Sequence, residues 1–227
     1  MRPRTAAVAL AIVASVVAAD LRGQDVPTVA VMDFSSFMMG EGGASVQLGK
    51  AISAMLVTEL SGREGIRIVE RARTNDLLRE MGLNFSGGVD ESAAIELGEL
   101  LGVQYVLHGQ VTSIVGNLRL DIRAVDVGTS AVVSTMKKSG RTTEIFSVVV
   151  DLADEFTQTL DLVPPSGRPE AESTPVAATI EFSRAVGMED SGNVEQAIQH
   201  YEKALDIHPS HRAARRALER LIAGTPS

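Results

Sequence analysis

The 227-residue chain contains no cysteine and no tryptophan, and aromatic residues make up only 4% of it. Without cysteine there are no disulfides, so the core must hold by burial alone. Basic residues are outnumbered: 21 Lys and Arg stand against 29 Asp and Glu, for a formal net charge of −8. A nucleic-acid-binding role needs a basic patch to neutralise phosphates, and this balance argues against it. The longest apolar run, Ala6 to Ala19, is shorter than the roughly 20 residues a membrane-spanning helix needs. No histidine pair has zinc-ligand spacing, and no nucleophile-elbow motif is present.

What is present fits an exported globular protein. Hydrophobic residues make up 44% of the chain and charged residues 22%, enough for an ordinary core. Arg2 and Arg4 precede the Ala6–Ala19 run, and Val17 and Ala19 are small residues before Asp20. That is the pattern of a signal peptide over residues 1–19.

Residues 26–163 read as one domain. VAVMDF (Val29 to Phe34) is a short buried strand. Ser45 to Leu60 is an amphipathic helix, with Leu48, Ile52, Met55, Leu56 and Leu60 on its apolar side. Lys50, Ser53 and Glu59 fall on the other side, expected to face water. A strand at Ile66–Glu70, a helix at Arg73–Met81 and a Gly-rich loop at 84–89 follow, and Asp90 is placed to cap the next helix. That helix stops at Gly102, where an αL turn favours glycine. From Tyr105 the period becomes two. Leu118, Leu120, Ile122 and Ala124 share one face of a strand, and Arg119, Asp121 and Arg123 share the other, solvated face. Gly128 to Ser130 is a turn into Ala131–Met136, and Thr142 to Leu162 is a last long helix. The order β-α-β-α-α-β-β-β-α predicts an α/β or α+β layered domain, a mixed sheet packed by helices.

Residues 164–175 (PPSGRPEAESTP) form a linker with little to bury. Two helices, Val176–Asp190 and Val194–Ile207, then flank Gly192-Asn193, and His211 to Ile222 is a third. The spacing of Gly192, Ala197, Tyr201, Ala204 and Pro209 resembles the tetratricopeptide repeat, giving a helical tail over 176–223. One such repeat has an open face, so the tail is expected to dock, self-associate or stack on a partner. Tyr201 belongs between the paired helices. Phe182, Val186 and Glu189 are the candidates for the partner-facing side.

The run from Glu96 to Ile114 (ELGELLGVQYVLHGQVTSI), following the earlier VAVMDF strand, resembles the CsgG-like family of bacterial envelope proteins. The family includes the curli secretion component, and a related fold occurs in lipoprotein activators of peptidoglycan synthases. The resemblance implies a periplasmic, outer-membrane-associated, non-enzymatic scaffold whose partners are envelope proteins or further copies of itself. The alternative it implies is a regulator that binds and activates a cell-wall enzyme. Lipoprotein members carry a lipidation cysteine after the signal, and this chain has none. The curli channel inserts membrane hairpins into this domain, whereas the connections here, near Val115–Asn117 and Gly128–Ser130, leave no spare hairpin.

Enzymatic readings find little support. Gly43 to Lys50 (GASVQLGK) has five residues where a phosphate loop has four, and Ala51 follows the lysine. A hydrolase or nucleotide-binding enzyme is therefore the least favoured alternative, and no cofactor, metal or catalytic residue is assigned. His108 reads as a structural histidine, and His208 and His211 only weakly as a metal pair. Asp33, at a strand end, is the best-placed acid, expected to cap the following loop. Arg67, Arg71 and Arg73 are expected at the surface, neutralised by Glu64, Glu70 and Asp76. Met38 and Met39, read as a loop pair, suit an adaptable oligomer or partner contact.

Overall fold

Alternating apolar residues build a single mixed sheet. In the computed structural model, which describes residues 26–39, 48–82, 91–163 and 175–224, six strands join it. They are β1 (Thr28–Val31), β2 (Ser35–Met39), β3 (Arg67–Ile68), β4 (Tyr105–Ile114), β5 (Asn117–Asp126) and β6 (Ala131–Arg141). The order is β3-β1-β4-β5-β6, and β2 also pairs with β4. β1 takes Tyr105–Leu107 of β4 and β2 takes Gln110–Ile114, both in parallel. The two act as one strand interrupted at Met32–Phe34. Met38 and Met39 therefore lie on a strand, not in the expected loop.

The antiparallel half is a meander with short connections. β4 and β5 are joined by Val115 and Gly116, both at positive φ (45° and 78°), the conformation of a two-residue hairpin turn. β-branched Val115 is a costly residue there. The helices are α1 (Leu48–Ser61), α2 (Arg71–Glu80), α3 (Glu91–Leu101), α4 (Ile145–Thr159), α5 (Val176–Asp190), α6 (Val194–Ile207) and α7 (Arg212–Gly224). Thr142–Glu144 is a 3-10 turn rather than the first turn of α4. α3 stops as expected: Gly102 has φ 66°, and the Gly102 and Val103 amides donate to Glu99 and Gly98, closing the αL cap.

Strand alternation divides the core in two. Val29, Val31, Leu107, Val111, Leu118, Leu120, Ile122 and Met136 face α1 and α4. Ala30, Met32, Val106 and Val127 face Leu78, Ala94 and Leu97 of α2 and α3 on the opposite side. Two helices press close to the sheet. A Cβ on Gly49 would fall 1.9 Å from the Phe34 carbonyl oxygen, and one on Gly98 2.4 Å from Val127.

The C-terminal helices are not set apart. Phe182, Ala185, Val186, Ala197, Tyr201, Ala204, Ala213 and Ala214 are buried and continuous with the core under α1 and α4. Their docking explains the polar side of α1, which does not face water as expected. Ser53 and Glu59 are buried. Lys50 Nζ is 2.8 Å from Asp190 Oδ2 on α5, and Arg212 of α7 reaches Glu59 at 2.7 Å. The polar stripe of α1 is a contact surface whose charges are matched by α5 and α7.

Candidate functional site

Helices α2 and α3 cover β1 and the Val106 and Val127 ends of β4 and β5 on their sheet face. Beyond them β4, β5 and β6 present their outward side chains in registered rows. His108 is opposite Arg123, which is opposite Thr135; Gln110, Asp121 and Lys137 form the next row; Thr112, Arg119 and Ser139 form the third. A shallow hollow lies over these rows. The reading of β5 as a strand with one solvated, charged face holds, and the face extends across β6.

Its electrostatics are lopsided. Arg119 grips Asp121 with two hydrogen bonds, Nε to Oδ2 at 2.7 Å and Nη2 to Oδ1 at 2.9 Å. The Arg119 hydrogen bond holds the Asp121 carboxyl below the usual range; partial burial opposes it, and Arg119, Lys137 and Arg123 add attraction. With Arg119 and Asp121 balanced, exposed Arg123 and Lys137 leave the face net positive on a chain of net charge −8. Phe37 of β2 and Ile114 of β4, 56% and 45% exposed, add apolar area to the same face, since Phe37 is in register with Thr112. Sheet that no described helix covers, unbalanced charge and exposed apolar side chains together describe a surface suited to docking another macromolecule.

A second concentration of charge closes the junction between the sheet and α5. Arg71, at the start of α2, donates through Nε and Nη2 to both oxygens of Asp33 at 2.7 and 2.6 Å. The same guanidinium reaches Asp190 Oδ1 at 2.6 Å and Oδ2 at 2.9 Å, and Ser53 Oγ donates to Asp33 at 2.9 Å. Burial would lower the pKa of Arg71, but Asp190 and Asp33 outweigh it and raise it. Burial would raise Asp190, yet Arg71 and Lys50 hold it below the ordinary carboxylate range. This corrects two expectations. Asp33 does not cap the following loop, and Arg71 is not a surface residue balanced by Glu64, Glu70 and Asp76. Every charge in the cluster is matched, and the cluster ties the end of β1 to α1, α2 and α5.

The predicted contact residues fare unequally. Phe182 and Val186 are each 1% exposed, packed within the shared core, so they are not on an open partner-facing side. Glu189 accepts from Tyr201 Oη at 2.7 Å and pairs with Arg220 at 2.7 Å. The reason is that α1 and α7 fill the face that an isolated repeat would leave open. Tyr201 lies between α5 and α6 as expected, its ring 5.7 Å from Phe182. Met38 and Met39 sit on β2, in register with Ser113 and Ile114. His108 is buried at the sheet face, with Arg123 beside it in register. His211 caps α7, its Nδ1 accepting the Ala214 amide at 3.2 Å, and its ring is 4.8 and 4.6 Å from Phe146 and Phe182. Among the described residues no group of three or more His, Asp or Glu is placed to hold a metal, and no helix is long and apolar enough to cross a membrane. The signal-peptide pattern, the start of the Gly43–Lys50 segment, the 84–89 loop with Asp90, and residues 164–174 lie outside the described residues.

Residues 10–119 match the family model described as the curli production assembly/transport component CsgG. Of the open face the matched span holds β4 and the start of β5. Among solved structures, the LpoB C-terminal domain from Salmonella enterica is 18% identical over 51% of this chain and 83% of its own, with a TM-score of 0.41. Lipoprotein GNA1162 from Neisseria meningitidis is 18% identical over 50% of this chain and 79% of its own, at 0.42. The PelC dodecamer from Paraburkholderia phytofirmans is 16% identical over 62% of this chain and 90% of its own, at 0.36. No curated protein matches the chain.

Proposed function

We propose that the protein is a non-enzymatic component of the bacterial cell envelope that docks protein partners on the open face of its sheet. The observation that carries this reading is the β4-β5-β6 surface that no described helix covers, net positive and edged by Phe37 and Ile114. The CsgG match over residues 10–119 supports the compartment and the class of task, assembly or secretion at the envelope. Regulation of a cell-wall enzyme uses the same physical act, a protein bound to this face, and remains the alternative within this reading. The polar groups at the junction are consumed by one another, which supports a scaffold over a catalyst. The double charge reversal Arg123→Glu/Lys137→Glu tests the proposal. Partners crosslinked to the native protein in intact cells should be lost from the double variant and retained by Glu96→Lys on α3. Equal recovery from all three proteins refutes it.

A further inference from the structure

A cleft of about 140 Å³ lies where α1, the start of α2 and the C-terminal helices meet. Its floor is lined by half-buried Ala54, Val57, Ile68 and Ala217, with buried Phe182 and Val186 beneath them. Charged side chains ring it, and most are already matched. Arg71 is held by Asp33 and Asp190, and Glu189 by Tyr201 and Arg220. Glu70 and Arg216 remain. Both are exposed, and neither pairs with another described residue. Glu70 occupies the N-cap of α2, yet its carboxylate makes no capping hydrogen bond. The cleft therefore joins an apolar floor to one unmatched anion from the sheet side and one unmatched cation from α7.

We propose that this cleft binds a small zwitterion, a molecule of amino-acid size carrying an ammonium, a carboxylate and an apolar body. Size comes first. A cavity of about 150 Å³ admits benzene, and drug-sized ligands take roughly 300–1,000 Å³. Nucleotides and oligosaccharides are too large, while a leucine-sized side chain fits the floor. Charge comes second. An ammonium placed toward Glu70 and a carboxylate toward Arg216 satisfy both free groups at once, the latter through the guanidinium fork. A ligand with only one charge leaves one of them unmatched. Such a ligand touches the sheet side and the C-terminal helices together, so its binding also strengthens their docking.

The test is calorimetry on the full chain with leucine, valine and methionine in both enantiomers, beside N-acetyl-leucine and leucinamide. At least one free amino acid should bind saturably at millimolar concentration or better and raise the melting temperature. Removing either charge from the ligand should weaken binding at least tenfold, and so should Glu70→Gln or Arg216→Gln. Both variants should melt within a degree or two of the native chain, because neither side chain has a partner to lose. No saturable binding by any of the three amino acids overturns the proposal. So does N-acetyl-leucine or leucinamide binding as well as leucine, or binding unchanged in both variants.

Discussion

Acid should loosen the C-terminal helices through His211. Its ring is fully buried against Phe146 and Phe182, and its Nδ1 accepts an amide hydrogen, so the neutral form is the one that fits. Burial, helped by nearby His208, pushes its pKa from 6.5 down to about 3. Between those values the unfolded chain binds a proton that the folded chain refuses, so stability falls as pH falls. At pH 7 the effect is negligible. At pH 4.5, two units below 6.5, it amounts to about 2.7 kcal/mol at 1.36 kcal/mol per unit. Carboxylates titrate over the same range, so the comparison that isolates the histidine is His211→Asn. Asparagine keeps an acceptor for the Ala214 amide but carries no titrating group. Urea denaturation at pH 7.0, 5.5 and 4.5 should show the variant less stable at neutral pH, for want of the ring. The gap should then close by about 1.4 kcal/mol at pH 5.5 and about 2.7 at pH 4.5. Parallel loss of stability in both proteins would refute the reasoning.

Phe182→Ala should cost about 3–5 kcal/mol in chemical denaturation, because it removes a core ring rather than a surface contact. A loss under about 1 kcal/mol contradicts that placement. Arg71→Met leaves Asp33 without a cation and Asp190 with Lys50 alone, and should cost about 3–5 kcal/mol at pH 7 in the same assay. Val115→Asn relieves a β-branched residue at φ 45° and should stabilise by about 1 kcal/mol in the same assay.

Much of the fold was legible because local rules and tertiary packing agreed. The β5 alternation, the Gly102 stop and the bounds of α5 and α6 follow from side-chain period and turn chemistry alone. β2 was not legible. Ser35–Met39 has no clear alternation and is extended because the edge of β4 beyond β1 offers it hydrogen bonds. The junction cluster was invisible for a different reason. Asp33, Arg71 and Asp190 are far apart in sequence, and each has nearer opposite charges that suggest local pairing. The polar side of α1 misled in the same way: Lys50, Ser53 and Glu59 read as a solvated stripe until α5, Asp33 and α7 supply their partners. Phe182 and Val186 sit on an apolar helical face, and the period of such a face does not say whether a partner or the chain itself covers it.

The central claim, that β4-β5-β6 is a docking face, is tested most directly by a photo-crosslinking amino acid at Thr135, within that face, and at Glu96, exposed on α3. In living cells of the source organism, irradiation should join a discrete protein partner to the Thr135 position and not to Glu96. Absence of adducts at Thr135, or the same adducts at both positions, would contradict the account.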